Sequence, residues 1–210
     1  MGFTMTVVII LVTALISFGA FSNQKMKYDF IFYPPAVRDG QWYRFITHGL
    51  IHADPIHLIF NMLALYSLGS VLEANFTSEV LFGRYGRIVY LLLYLTALIF
   101  ASVPDYIKHR NNSYYQSLGA SGAVAAVIFG TILLSPTAML SFFFIPMPGF
   151  VFAILFLVIS TVLARKGGDN IGHGAHISGA IYGLLFTYVA IELFTDFNLI
   201  QHLIETFRRY

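Results

Sequence analysis

Six stretches of this sequence are apolar over enough residues to cross a lipid bilayer: 4–21, 53–74, 87–103, 118–134, 149–164 and 172–195. A spanning helix needs about 20 mostly apolar residues, and the fifth stretch is the shortest that qualifies. Lipid offers no hydrogen-bond partners, so each span must satisfy its own backbone as a helix. The expected fold class is therefore an all-α membrane protein, a bundle of six transmembrane helices. Composition removes the water-soluble alternative. Of 210 residues 58% are hydrophobic and 10% charged, where a soluble domain carries about 25% charged residues. The net charge of +2 comes with no basic run able to track a phosphate backbone, so no nucleic-acid partner is expected. Cysteine is absent, which excludes disulfides, thiolate metal sites and a cysteine nucleophile.

The stretches between the spans are also informative. Residues 1–23 contain no Lys or Arg and no small-x-small cleavage site follows them, so the first stretch reads as a permanent span and not a signal peptide. Residues 22–50 are polar and aromatic and suit a loop at the membrane surface. The segment 135–148 is apolar but interrupted by Pro136, Pro146 and Pro148; proline at this density breaks a helix, so an interfacial connection is expected there. In the tail, Leu199, Ile200, Leu203, Ile204 and Phe207 fall on one helical face, as in a helix lying on the membrane. The chain divides into a six-span core, 1–195, and this amphipathic tail, 196–210.

Polar residues inside spans are costly and mark function by default. The second span opens with His48, His52, Asp54, His57 and Asn61 and ends at Glu73; the fourth opens Gly119-Ala120-Ser121-Gly122; the sixth opens Gly172-His173-Gly174-Ala175-His176. Singly, each has an ordinary reading. Small residues let membrane helices approach closely, and His57 with Asn61 one turn apart would serve as an interhelical hydrogen-bonding pair. Together they say more. All three openings follow odd-numbered loops, so topology puts them in one layer of the membrane. A small-residue stripe (Gly119, Gly122, Ala123, Ala126, Gly130) and a face carrying His176, Gly179 and Gly183 would let the fourth and sixth helices meet.

A serine hydroxyl becomes a nucleophile when a neighbouring base takes its proton, and histidine, with a pKa of about 6.5, is largely neutral at physiological pH. Ser121 and His176 are the expected pair. The tetrahedral oxyanion needs donors: the Ser121 amide near a helix N-terminus, the His57 ring and the Asn61 amide. No carboxylate lies beside His176 at the span entries, and Asp169 in the preceding loop is the only one near it in sequence, so a dyad is expected. A metal centre built from His48, His52, His57, His173 and His176 is the weaker reading, because no His-Glu-x-x-His occurs and Asp54 is the only carboxylate among them.

Trp42-x-Arg44, His52-x4-His57-x3-Asn61, Gly119-x-Ser121-Gly122 and Ala175-His176-x-x-Gly179, in this order, resemble the rhomboid family of intramembrane serine proteases; the Pro146-Met147-Pro148 segment is similar too. The resemblance implies a six-helix core with Ser121 and His176 as catalytic dyad and the Ser121 amide, His57 and Asn61 around the oxyanion. It implies that Arg44 anchors a first loop dipping into the bilayer, and that Glu73 is a structural hydrogen-bonding residue. It further implies no metal and no cofactor. The implied substrates are membrane proteins, single-span or multi-span, cut near the surface after local unwinding. A catalytically inactive binder or chaperone of membrane helices is the alternative within the family. Two features depart from the pattern. Where the family often has an aromatic ring one turn after the serine, packing on the base, this chain has Ala125, leaving Tyr182 or the fifth loop to support His176. And odd-numbered loops, outside the cytoplasm in the family, hold eight Lys and Arg against four on the other side, opposite to the positive-inside bias. The resemblance is preferred, that bias being statistical. Small size and the absence of appended domains point to a bacterial inner membrane, and Gly167-Gly168 marks the fifth loop as a mobile cap.

Overall fold

A computed structural model describes residues 3–142, 145–166 and 172–210. The first span is helix α1 (Met5–Ser22), opened by the Thr4 side chain accepting from the Val7 N–H. Its polar residues Thr6, Thr13 and Ser17 are fully buried, while Leu11, Leu15 and Phe18 on the other face are exposed, as lipid contact requires. The first loop carries three short helices, α2 (Gln24–Phe30), α3 (Pro34–Arg38) and α4 (Arg44–Thr47), and a 3₁₀ turn, His48–Leu50. Arg44 holds this loop together. Its buried guanidinium donates to the carbonyls of Tyr28 (2.8 Å) and Ile31 (2.7 Å) and to Gln41 Oε1 (2.7 Å), whereas Trp42 is exposed.

The second span runs from Pro55 to Phe76 as α5 (Pro55–Ala64), a π turn (Leu65–Gly69) and α6 (Ser70–Phe76). Asp54 caps it through the His57 N–H, with Pro55 at the first helical position, where a missing N–H costs nothing. The third span, α7 (Gly86–His109), continues through Pro104 and exceeds the 87–103 expected from sequence. Helix α8 (Ser121–Leu134) starts three residues later than expected and has 14 residues. At 1.5 Å per residue it covers about 21 Å, short of a hydrocarbon layer of about 30 Å. Helices α9 (Gly149–Lys166) and α10 (His173–Phe194) complete six spans, and α11 (Leu199–Arg209) forms the tail.

The proline-rich connection differs from the sequence reading. Strands β1 (Met139–Phe142) and β2 (Ile145–Pro148) pair antiparallel, with Met139 opposite Pro148 and Ser141 opposite Pro146. Pro146 and Pro148 share one parity along the strand, so a two-stranded ribbon can turn both missing donors to its open edge.

Helix α8 is the centre of the bundle: every residue from Gly122 to Ile132 is buried. It achieves this with small side chains. A Cβ on Gly179 of α10 would fall on the Gly122 carbonyl oxygen, and one on Gly183 on that of Ala126. Two backbones touch here without side chains between them, as small-residue faces permit. The stripes read from sequence on these two helices are the surfaces that meet.

Candidate active site

The approach to Ser121 is built by the first loop. Residues 32 and 117 bridge through reciprocal backbone hydrogen bonds, and the Gly119 N–H donates to the His48 carbonyl at 2.9 Å. Gly119 adopts φ +115°, a conformation that a side chain would strain; a Cβ there would also lie 2.7 Å from the His57 ring. That reversal stops the fourth helix from beginning at residue 118. Ala120 then caps α8, and Ser121 is its first residue. The amides of Ser121, Gly122 and Ala123 are among the four that an α-helix leaves without internal acceptors.

His57 stands in the first turn of α5 against Gly119. Asn61, buried, donates through Nδ2 to the His57 carbonyl at 2.9 Å, and its amide has a second N–H to give. His176 lies in the first turn of α10, whose Gly179 rests on Gly122, the residue after Ser121. The structure thus brings the openings of α8, α10 and α5 to one place, with Ser121, His57 and His176 all half-buried. Among the described residues no hydrogen bond joins Ser121 to His176. Catalytic hydrogen bonds are often long in unliganded enzymes and tighten with substrate.

Support for His176 comes from a residue the sequence reading did not single out. The Phe156 ring of α9 lies 5.9 Å from the His176 ring at 36°, and Phe129 of α8 backs Phe156 at 5.4 Å. Tyr182 is engaged elsewhere, donating to Thr96 and stacking on Phe100. His173 meets His176 edge-on at 5.9 Å. The fifth span carries three phenylalanines, Phe150, Phe152 and Phe156, and nothing in their spacing marked out the one that meets His176. Asp105 of α7, which accepts from the Tyr115 hydroxyl at 2.7 Å, reaches the opening of α10 at Gly174, where it would lie 3.3 Å from an added Cβ. It is 69 residues before Gly174 in the sequence and invisible to local reading. Asp169, Gly167 and Gly168 lie outside the described residues.

The other histidines of the first loop have hydrogen-bonding partners. His48 Nε2 pairs with Ser102 Oγ at 3.1 Å and His52 Nδ1 with Ser17 Oγ at 2.9 Å. Both rings are buried; burial first, opposed by nearby backbone acceptors, takes the His48 pKa down to about 4. Burial and then the charge of His57 take that of His52 down to about 3. Both are neutral at physiological pH. Among the described residues no three His, Asp or Glu side chains form a metal-ligand group.

A family model described as the rhomboid domain matches residues 39–193, from the first loop to the end of the sixth span. The chain belongs to the rhomboid family. It is 31% identical to RHOMBOID-like protein 12, mitochondrial, of Arabidopsis thaliana over 76% of this chain and 50% of that one. It is 29% identical to the rhomboid protease GluP of Bacillus subtilis over 85% of this chain and 30% of the relative. With the rhomboid protease GlpG of Haemophilus influenzae it shares 28% identity over 74% of this chain and 73% of that protein. The chain spans half or less of the first two relatives. The rhomboid match together with the apolar helices makes it an integral, multi-pass membrane protein.

Proposed function

We propose that this rhomboid is an intramembrane serine endopeptidase that hydrolyses peptide bonds in or near transmembrane segments of other membrane proteins. The observation that carries the reading is the backbone contact of Gly179 with Gly122, which sets the Ser121 and His176 helix openings side by side. In the proposed reaction His176 takes the Ser121 proton as Oγ attacks the scissile carbonyl. The oxyanion is met by the Ser121 N–H, the His57 ring and the free Asn61 N–H, donors whose single removal typically costs about 10²–10³ in rate. His176 then protonates the leaving amine, and the acyl-enzyme is released by water that His176 deprotonates in turn. No metal or cofactor enters this scheme. The proteases GluP and GlpG among its relatives support the reaction class; both are bacterial, and the same proposal puts this chain in a bacterial inner membrane.

Cleavage of a panel of single-span membrane proteins by the wild type, with Ser121→Ala and His176→Ala beside it, tests the reading. Both variants are expected to stay folded and lose cleavage. Substantial residual cleavage by Ser121→Ala would overturn the assignment. Absence of fluorophosphonate labelling of a folded wild type would favour the inactive binder instead.

A further inference from the structure

A chain of buried polar groups runs from the first span to the residue before the nucleophile. Ser17, fully buried in α1, donates its hydroxyl proton to the Leu50 carbonyl at 2.9 Å and lies 2.9 Å from His52 Nδ1. A serine has one such proton. With it committed to Leu50, Ser17 can only accept from His52, so Nδ1 carries the imidazole hydrogen. Nε2 is then a lone pair, and it faces the Ala120 N–H at 3.4 Å. Each bond in the series fixes the direction of the next. The His52 ring, 1% exposed, also meets the His57 ring edge-on at 5.0 Å.

Packing alone does not call for these groups. The neighbourhood is apolar, formed by Ala20, Ile31 and Ile51 with Ile16 and Leu118 around them, and polar atoms are costly in such a place unless paired. Their pairing ends on the N–H of Ala120, the residue that caps α8. Ala120 joins the Gly119–Ala120 peptide to the Ala120–Ser121 peptide, so anchoring its N–H narrows the range of directions open to the Ser121 N–H.

We infer that Ser17 and His52 are positioning residues for the nucleophile: through the Ala120 amide they hold the Ser121 N–H toward the oxyanion, and His52 at the same time backs the His57 ring. This role rests on the proposed protease mechanism. Neither residue touches substrate.

The test uses the full chain in proteoliposomes with a single-span substrate. Ser17→Ala and His52→Phe, the latter keeping ring volume and losing both nitrogens, are expected to lower kcat by about ten- to a hundredfold, the effect of a displacement on the order of 1 Å at a reacting group. KM should change little, and the rate of Ser121 labelling by a fluorophosphonate should fall in parallel. His52→Gln, which returns an acceptor near the Nε2 position, should recover part of the loss. Nitrogen NMR of wild-type His52 should show the Nδ1-protonated tautomer, a readout independent of whether any variant folds. An Nε2-protonated wild type, or wild-type labelling rates in Ser17→Ala, would overturn this role alone. A folded wild type that does not label would overturn the protease reading along with it.

Discussion

The Glu73 carboxylate, at the end of the second span, accepts from both the backbone N–H and the hydroxyl of Thr6, at 2.8 and 2.7 Å. Its other oxygen accepts from the Met5 N–H at 2.7 Å, and Arg87 lies 3.6 Å away. One buried side chain therefore satisfies two of the orphan amides that open α1 and puts negative charge where the helix dipole favours it. Glu73→Ala would leave those donors without an acceptor, at about 1–3 kcal/mol each. A loss of roughly 3 kcal/mol follows, read as a lower unfolding temperature in detergent. Glu73→Gln, keeping one oxygen, should lose less. Equal stability of Glu73→Ala and wild type would contradict this account.

Much of this was legible in the sequence because lipid leaves few solutions. Span existence followed from apolar length, and the shared layer of Ser121, His57, Asn61 and His176 followed from counting crossings. The faces carrying Gly122 and Gly179 could be matched because small residues are the means by which membrane helices touch. What escaped depended on long-range contact. Ser17 stood in plain view as a polar residue inside an apolar span, with Thr6 and Thr13 on the same face, but its partner His52 is 35 residues away. The start of α8 was misjudged because the break comes from the positive φ of Gly119 and its bond to His48. The pairing of 139–142 with 145–148 was hidden by prolines, which local rules read as breakers.

Phe156 tests whether a ring on one helix can do what an aromatic on another would do. Ala125 offers His176 no platform, and the Phe156 ring, backed by Phe129, lies tilted against His176 at 5.9 Å. Aromatic contacts of this kind are worth about 0.5–1.5 kcal/mol, which corresponds to a change of roughly two- to tenfold. Phe156→Ala should reduce kcat by that factor with KM nearly unchanged, while Phe156→Tyr stays close to wild type. If Phe156→Ala cleaved at the wild-type rate, the platform would have to be sought elsewhere.

The Gly179 contact makes a sharper demand. Adding one methyl group there sets carbon against the Gly122 carbonyl oxygen, and backbone cannot step aside as a flexible side chain can. Overpacking usually costs about 1–3 kcal/mol, but the larger effect should be on catalysis, since separating α8 from α10 separates Ser121 from His176. Gly179→Ala is expected to lose most cleavage while a measurable folded fraction remains. Gly172→Ala is the control: among the described residues its Cβ would meet only the Ala175 methyl, at an ordinary 3.7 Å. Cleavage by Gly179→Ala comparable to that of Gly172→Ala would show that the helices need not touch.

The buried histidines of the first loop predict acid sensitivity. His48 is held neutral by burial, with its pKa down to about 4; burial and the charge of His57 bring His52 down to about 3. An unfolded chain protonates both near pH 6.5. Because the folded values are the lower ones, their full contribution is present above about pH 6.5 and is lost as the unfolded state binds protons that the native state refuses. The loss begins below that pH and continues to about pH 4 for His48 and about pH 3 for His52. Within this window each histidine contributes about 1.4 kcal/mol per pH unit. The unfolding temperature in detergent should therefore be level from pH 8 to 7 and fall increasingly from pH 6 to 4.5. His52→Gln, which has no proton to gain, should flatten part of that fall. An unfolding temperature constant between pH 7 and 4.5 would mean that these rings can accept protons where they stand, and that burial does not hold them neutral.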